Sequence, residues 1–274
     1  PCEAGTYQNE KGKSECKPCP AGSFCSGGTA EPSSSLCPAG HYCEEGTKHA
    51  LQYPCPMGKF NNATGSTSAD DCKWCRPGSY CATDGLVEPT GLCAEGFYCK
   101  LGASVPKPGR EGALGLNLSC TCPANNETTG GECKPGYYCP LGSSDMVPCD
   151  AGRYCGKTQL PAPEGECSAG FYCKLGASQR DPEDGKTGWK CRRGEYCEAG
   201  TGAPKQCPAG KFGPEEGMSM EKDCENCTSG FYCQTAGLPN VTGKCDPGFY
   251  CPGGQHQPNP SGPVRATSRP ARRW

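Results

Sequence analysis

The chain has 274 residues with 28 Cys, 41 Gly, 28 Pro and a formal net charge of −2. Leu, Val and Phe contribute 12, 5 and 7 residues and Ile none, so these four types make up about 9% of the chain, well under the roughly 20% below which a core is hard to bury. An ordinary hydrophobic-core domain is therefore excluded, and the near-neutral charge supplies no global field for nucleic acid or a membrane surface. The even cysteine set offers a substitute for the core, because each bridge contributes about 2–4 kcal/mol and such density persists in a secreted or extracellular-surface setting. No apolar stretch approaches the roughly 18 residues of a membrane helix.

In chain order, Cys2 opens a unit (CEAGTY) whose second cysteine is delayed to Cys16. Shorter units follow at Cys19/Cys25 and Cys37/Cys43, each reading Cys, two variable residues, Gly, one variable residue, an aromatic, Cys. A second long unit runs from Cys55 to Cys72, and short units return at Cys75/Cys81 and Cys93/Cys99. Cys120 and Cys122 form a tight CTC, which reads as a contracted unit. Short units then stand at Cys133/Cys139, Cys149/Cys155, Cys167/Cys173 and Cys191/Cys197, a long one at Cys207 to Cys224, and short ones at Cys227/Cys233 and Cys245/Cys251.

A longer period is superimposed, since CAEGFYCKLGAS from Cys93 returns as CSAGFYCKLGAS from Cys167. It divides the chain into repeat units 1–74, 75–148 and 149–226, a partial fourth unit 227–251 and a tail 252–274. Within each short unit the Gly marks a place for φ > 0, the frequent Pro presets a turn, and the aromatic is the large apolar group available to cover a bridge. Tyr42, Tyr98 and Tyr172 would otherwise serve as a ligand-stacking surface, but packing on sulfur explains all the equivalent positions at once. Loops such as SGGTAEPSSSL from Ser26 show neither helical nor sustained two-residue periodicity. The expected fold is a set of small disulfide-rich repeats, an elongated rod with short β-ladders and turns and almost no helix, each unit touching only its neighbours.

Candidate chemistry is sparse. The CxxC pairs Cys16/Cys19, Cys72/Cys75 and Cys224/Cys227 have the spacing of zinc knuckles or redox dithiols, yet each joins two units of a disulfide array. The three histidines, His41, His49 and His256, are dispersed, and Asp181-Pro182-Glu183-Asp184-Gly185 lacks the alternating ligands of a calcium loop. No catalytic residue, metal or cofactor is expected. Five of nine Asn stand in N-x-[ST], at Asn62, Asn117, Asn126, Asn226 and Asn240, which points to N-linked glycans on exposed loops; Asn226 is set apart by Cys227 in its middle position. The tail carries Arg265, Arg269, Arg272 and Arg273 without an acidic residue, as a linker, a processing site or a contact to anionic glycan would.

The runs CPMGKF…DDCKWCRPGSYC from Cys55 and CPAGKF…KDCENCTSGFYC from Cys207 resemble the cysteine-rich repeats beside the ligand-binding domain of ephrin-type receptors. Those repeats are themselves similar to tumour-necrosis-factor-receptor modules, and related tandem arrays occur in protist and algal surface and flagellar-hair proteins. The resemblance implies a local bridge followed by two crossed bridges: Cys55–Cys72 with Cys75–Cys93 and Cys81–Cys99, and Cys207–Cys224 with Cys227–Cys245 and Cys233–Cys251. A second register treats equivalent positions alike, pairing Cys19–Cys37, Cys25–Cys43, Cys93–Cys120, Cys99–Cys122, Cys167–Cys191 and Cys173–Cys197, and leaves Cys245 and Cys251 without partners in the segment. Sequence does not choose between them. The function expected is a non-enzymatic, N-glycosylated extracellular structural protein building or spacing a surface fibre or coat, with other protein subunits as partners. The alternative is a receptor ectodomain that binds a protein ligand.

Overall fold

The computed structural model describes residues 1–109 and 129–260. Cys120, Cys122, Asn117, Asn126 and the arginines of the tail lie outside the described residues. Among the described residues the regular structure consists of ten two-stranded sheets and three 3-10 turns, at Pro32–Ser34, Ala69–Asp71 and Glu221–Asp223. The chain divides into two compact bodies, residues 1–134, 138–147 and 158–162 in one and 135–137, 148–157 and 163–274 in the other.

Thirteen disulfides close thirteen modules, one in each. The long modules pair Cys2–Cys16, Cys55–Cys72 and Cys207–Cys224. Every short module closes on itself, as at Cys19–Cys25, Cys37–Cys43, Cys133–Cys139, Cys227–Cys233 and Cys245–Cys251. Both crossed registers are thereby corrected: Cys75 pairs with Cys81 and Cys93 with Cys99, while Cys167 pairs with Cys173 and Cys191 with Cys197. The same holds beside the CTC, where Cys139 takes Cys133, six residues before it, and no cysteine of a neighbouring module. The reason is local. The motif glycine takes a positive φ, +84° at Gly152 and +85° at Gly170, so the intervening residues turn back and bring cysteines six apart to a Cα separation of 5.9 Å at Cys149–Cys155, inside the range a bridge spans. Such a ring removes about 2 kcal/mol of loop entropy, against about 3 for a crossed bridge.

Strands form between modules rather than within them. The two residues around the motif aromatic pair with the two before the next module's first cysteine, as in Arg153↔Glu166 and Tyr154↔Gly165, Ser79↔Leu92 and Tyr80↔Gly91, and Phe231↔Lys244 and Tyr232↔Gly243. The aromatic then covers a bridge, and it is the following module's. Phe60 packs with Cys75 and Cys81, Tyr80 against Cys93 and Cys99, Tyr154 against Cys167 and Cys173, and Tyr196 against Cys207 and Cys224. Apart from Cys2, Cys16 and Cys245, the described cysteines are buried, so cystine sulfur is the main component of the core. Tyr42 stacks on Tyr53 with ring centroids 5.4 Å apart, and Tyr98 and Tyr172 pair across strands with Gly131 and Trp189.

Candidate functional site: the inter-module clasp and the acceptor loops

The motif glycine is the centre of a clasp that recurs at each of the twelve junctions between successive modules. Its amide donates to the carbonyl at the seventh position of the next module, and its carbonyl accepts from that module's first cysteine. At one junction these bonds are Gly152 N–H to Cys173 O and Cys167 N–H to Gly152 O, both 2.8 Å. Two further bonds complete the clasp. The seventh residue donates forward to the residue after a glycine in the next module's loop, as Cys155 does to Ala177 at 2.9 Å, and that loop glycine's own amide returns to the first module, as Gly176 does to the Cys149 carbonyl at 2.8 Å.

The loop position also needs φ > 0, and glycine fills it at eleven of the twelve junctions. At the twelfth stands Gln159, the one non-glycine residue with positive φ (59°) among the described residues. It makes the same bond, to the Cys133 carbonyl at 2.8 Å, and its Nε2 reaches Glu132 Oε2 at 2.7 Å. The seventh residue of that module, Cys139, completes the pattern by donating to the Leu160 carbonyl at 2.8 Å. Contacts extend beyond nearest neighbours, which corrects the expectation that each unit touches only the next. A Cβ on Gly22 would sit 2.7 Å from the Gly65 carbonyl two modules on, and one on Gly152 would sit 2.2 Å from the Gly200 carbonyl.

In the long modules the seventh position is Gln8, Asn61 or Gly213 instead of Cys, which is why the first cysteine takes a later partner. The space is filled differently in each of the two later ones. Asn61 is buried, its Nδ2 donating to Ser66 Oγ at 2.6 Å and its Oδ1 accepting from the Ala63 amide at 3.0 Å. Gly213 leaves room for the buried Met218 side chain. The returning loop of each is pinned by an aspartate. Asp71 Oδ2 accepts from the Thr67 and Ser68 amides, and these bonds hold its carboxyl below the usual carboxylate range. Asp223 is held down in the same way by the Ser219 amide and hydroxyl and the Met220 amide.

Of the five acceptor asparagines, Asn62, Asn226 and Asn240 fall in the described residues and are exposed. Asn62 edges an open depression lined by Asn61, Thr64, Ser66, Thr67, Asp71 and Lys73, and its Oδ1 accepts from Lys73 Nζ at 3.0 Å. Asn226 lies in the strand Glu225–Asn226, and Asn240 in a bend after the Cys227–Cys233 module. The cysteines of each CxxC belong to two different bridges: Cys72 pairs with Cys55 and Cys75 with Cys81. In the acidic loop Asp184 accepts from the Thr187 hydroxyl and amide and the Lys186 amide, which lowers its pKa and turns the loop in on itself.

The clasp asparagine, the loop glycines and the pinning aspartates escaped the sequence reading. A signal existed for the glycines, since a Gly recurs three or four residues after the seventh position, at Gly46, Gly65, Gly102 and Gly200. No curated relative matches the chain. Residues 1–35 match the family model described as tyrosine-protein kinase ephrin type A/B receptor-like. Those residues hold the modules of Cys2–Cys16 and Cys19–Cys25, so the likeness to ephrin-receptor-like cysteine-rich modules covers this first stretch, and the same clasp and cysteine spacing recur through the described chain.

Proposed function

We propose that the protein is a non-enzymatic, N-glycosylated extracellular repeat protein that builds or spaces a surface fibre or coat. The observation that carries this reading is that what the modules expose is spread along the array. Exposed apolar side chains such as Leu36, Trp74, Leu101, Leu141, Leu175 and Phe249 belong to different modules and are not gathered in one of them. A receptor would concentrate irregular apolar residues at one site. Thirteen bridges suit an oxidising compartment, and no described helix is long and apolar enough to cross a membrane.

The spread of this surface favours other subunits as partners, and the period near 75 residues is the natural building unit. A second reading, a receptor ectodomain binding a protein ligand, draws on the receptor-like family match over residues 1–35. Electron microscopy of native material separates the two: fibres or ordered lattices are expected, and dispersed monomers that bind a soluble protein ligand would favour the receptor.

A further inference from the structure

The acceptor asparagines do not present equivalent backbones. Asn62 and Asn240 lie in loops outside the strands. Asn226 instead pairs across a ladder with Lys211, and its sequon runs through Cys227, which is fully buried and bridged to Cys233. The Cys227 amide donates to Gly210 O at 2.9 Å, its carbonyl accepts from the Gly254 amide at 2.9 Å, and the Thr228 carbonyl accepts from Phe231 at 3.0 Å. The tripeptide is therefore tied to the module before it, to the module after it and to itself.

The strand ends at Asn226, and the Cys227 amide and carbonyl that follow are both spent on the clasp. Any refolding of the tripeptide at Cys227 to fit a glycosylating enzyme breaks those bonds. We infer that Asn226 is a conditional acceptor, open to glycosylation only before the Cys227–Cys233 module closes, so that bridge formation and sugar transfer compete for the same residues. This rests on the N-glycosylation proposed above. In the transfer, the Asn226 Nδ2 attacks the anomeric carbon of an oligosaccharide carried on a lipid pyrophosphate. The new N–C bond forms as the sugar C–O bond to phosphate breaks, the lipid pyrophosphate leaves, and one amide proton passes to a base.

The test is site-by-site occupancy in the full chain made in a eukaryotic secretory host, measured by peptide mapping after enzymatic deglycosylation in heavy-oxygen water, on cell-associated and secreted protein together. Asn62 and Asn240 should be largely occupied and Asn226 several-fold less. Cys233→Ser, which leaves the sequon intact, should raise Asn226 occupancy several-fold with Asn62 unchanged. A thiol reductant added to wild-type cells during synthesis should do the same without relying on the variant's fold. Occupancy at Asn226 equal to that at Asn62 in untreated wild type overturns the inference, as does an unchanged low value under both treatments. Empty Asn62 and Asn240 would instead show that the glycosylation reading itself fails, and the inference with it.

Discussion

The clasp makes a quantitative prediction from two glycines with the same backbone and different surroundings. Gly152 and Gly230 have φ of +84° and +86°, and each donates to the next module's seventh residue and accepts from its first cysteine. A Cβ at Gly152 would stand 2.2 Å from the Gly200 carbonyl oxygen and 3.0 Å from its carbon, whereas a Cβ at Gly230 meets nothing within 4 Å. Alanine at either site costs about 1–2 kcal/mol for the left-handed backbone. Gly152→Ala must in addition shift the facing carbonyl and strain two hydrogen bonds of about 0.5–1.5 kcal/mol each, giving a total of about 2–5 kcal/mol. A chain of thirteen modules is not expected to unfold in two states, so the measurement is amide hydrogen exchange at the bonds concerned, the Cys167 amide for Gly152→Ala and the Cys245 amide for Gly230→Ala. A difference of about 1–3 kcal/mol corresponds to roughly 5- to 150-fold greater loss of protection at Cys167. Equal losses at the two amides would show that the next-but-one contact contributes nothing and that the glycine serves its backbone angle alone.

Gln159→Gly should stabilise its junction by about 0.5–1 kcal/mol, because relief of the left-handed penalty exceeds the added freedom of the unfolded chain and the bond lost to Glu132 is exposed; faster exchange of the Cys139 amide in the variant would contradict this. Acid should loosen the returning loops of the two later long modules. Asp71 and Asp223 titrate below their unfolded values, so their contribution is complete above the ordinary carboxylate range and is lost as pH falls through the lowered folded values. The amide resonances of Thr67 and Ser219 should report that loss, and Asp71→Asn should remove the acid step at Thr67 while Ser219 keeps it. Reduction, not chelation, should unfold the chain, followed by circular dichroism in thiol reductant against a metal chelator; collapse under the chelator with reductant tolerated would defeat the cystine-core account.

The repeat, the near-absence of helix and the β-ladders were legible because composition and cysteine spacing encode them directly, and the bridges Cys55–Cys72 and Cys207–Cys224 agree with what the resemblance implied. The connectivity of the short modules was not. Cys75 has both Cys81 and Cys93 within reach along the chain, and the choice depends on where the turn at Gly78, with its φ of +82°, directs the chain; the Gly announces a turn but not which cysteine the turn brings back. The same blindness hid the substitution that explains the long modules. Asn61 reads as a polar loop residue, yet it is 1% exposed because it occupies the place of a half-cystine and answers its own polarity with Ser66 and Ala63. The aromatic was assigned to a bridge correctly as a type of contact. Its target is the next module's bridge because the ladder carries residues such as Tyr80 and Tyr154 across the junction, and only the pairing register shows that.

Closing every bridge inside its own module changes what the disulfides can do. The crossed registers would have joined neighbouring modules covalently, so that pulling on the array would load sulfur bonds. Here the covalent rings only shape each module, and within each body neighbouring modules are held by a two-stranded ladder, the four further main-chain hydrogen bonds of the clasp and an aromatic seated on the next bridge. Hydrogen bonds of this kind contribute about 0.5–1.5 kcal/mol net apiece, so a junction is individually weak, and cohesion comes from repetition and from the contacts two modules away at glycines such as Gly78 and Gly170. The modules therefore resist unfolding through their cystines and resist separation through their glycines. The two properties meet at the motif glycine, whose positive φ both turns the chain back to close the ring and aims the clasp at the next module.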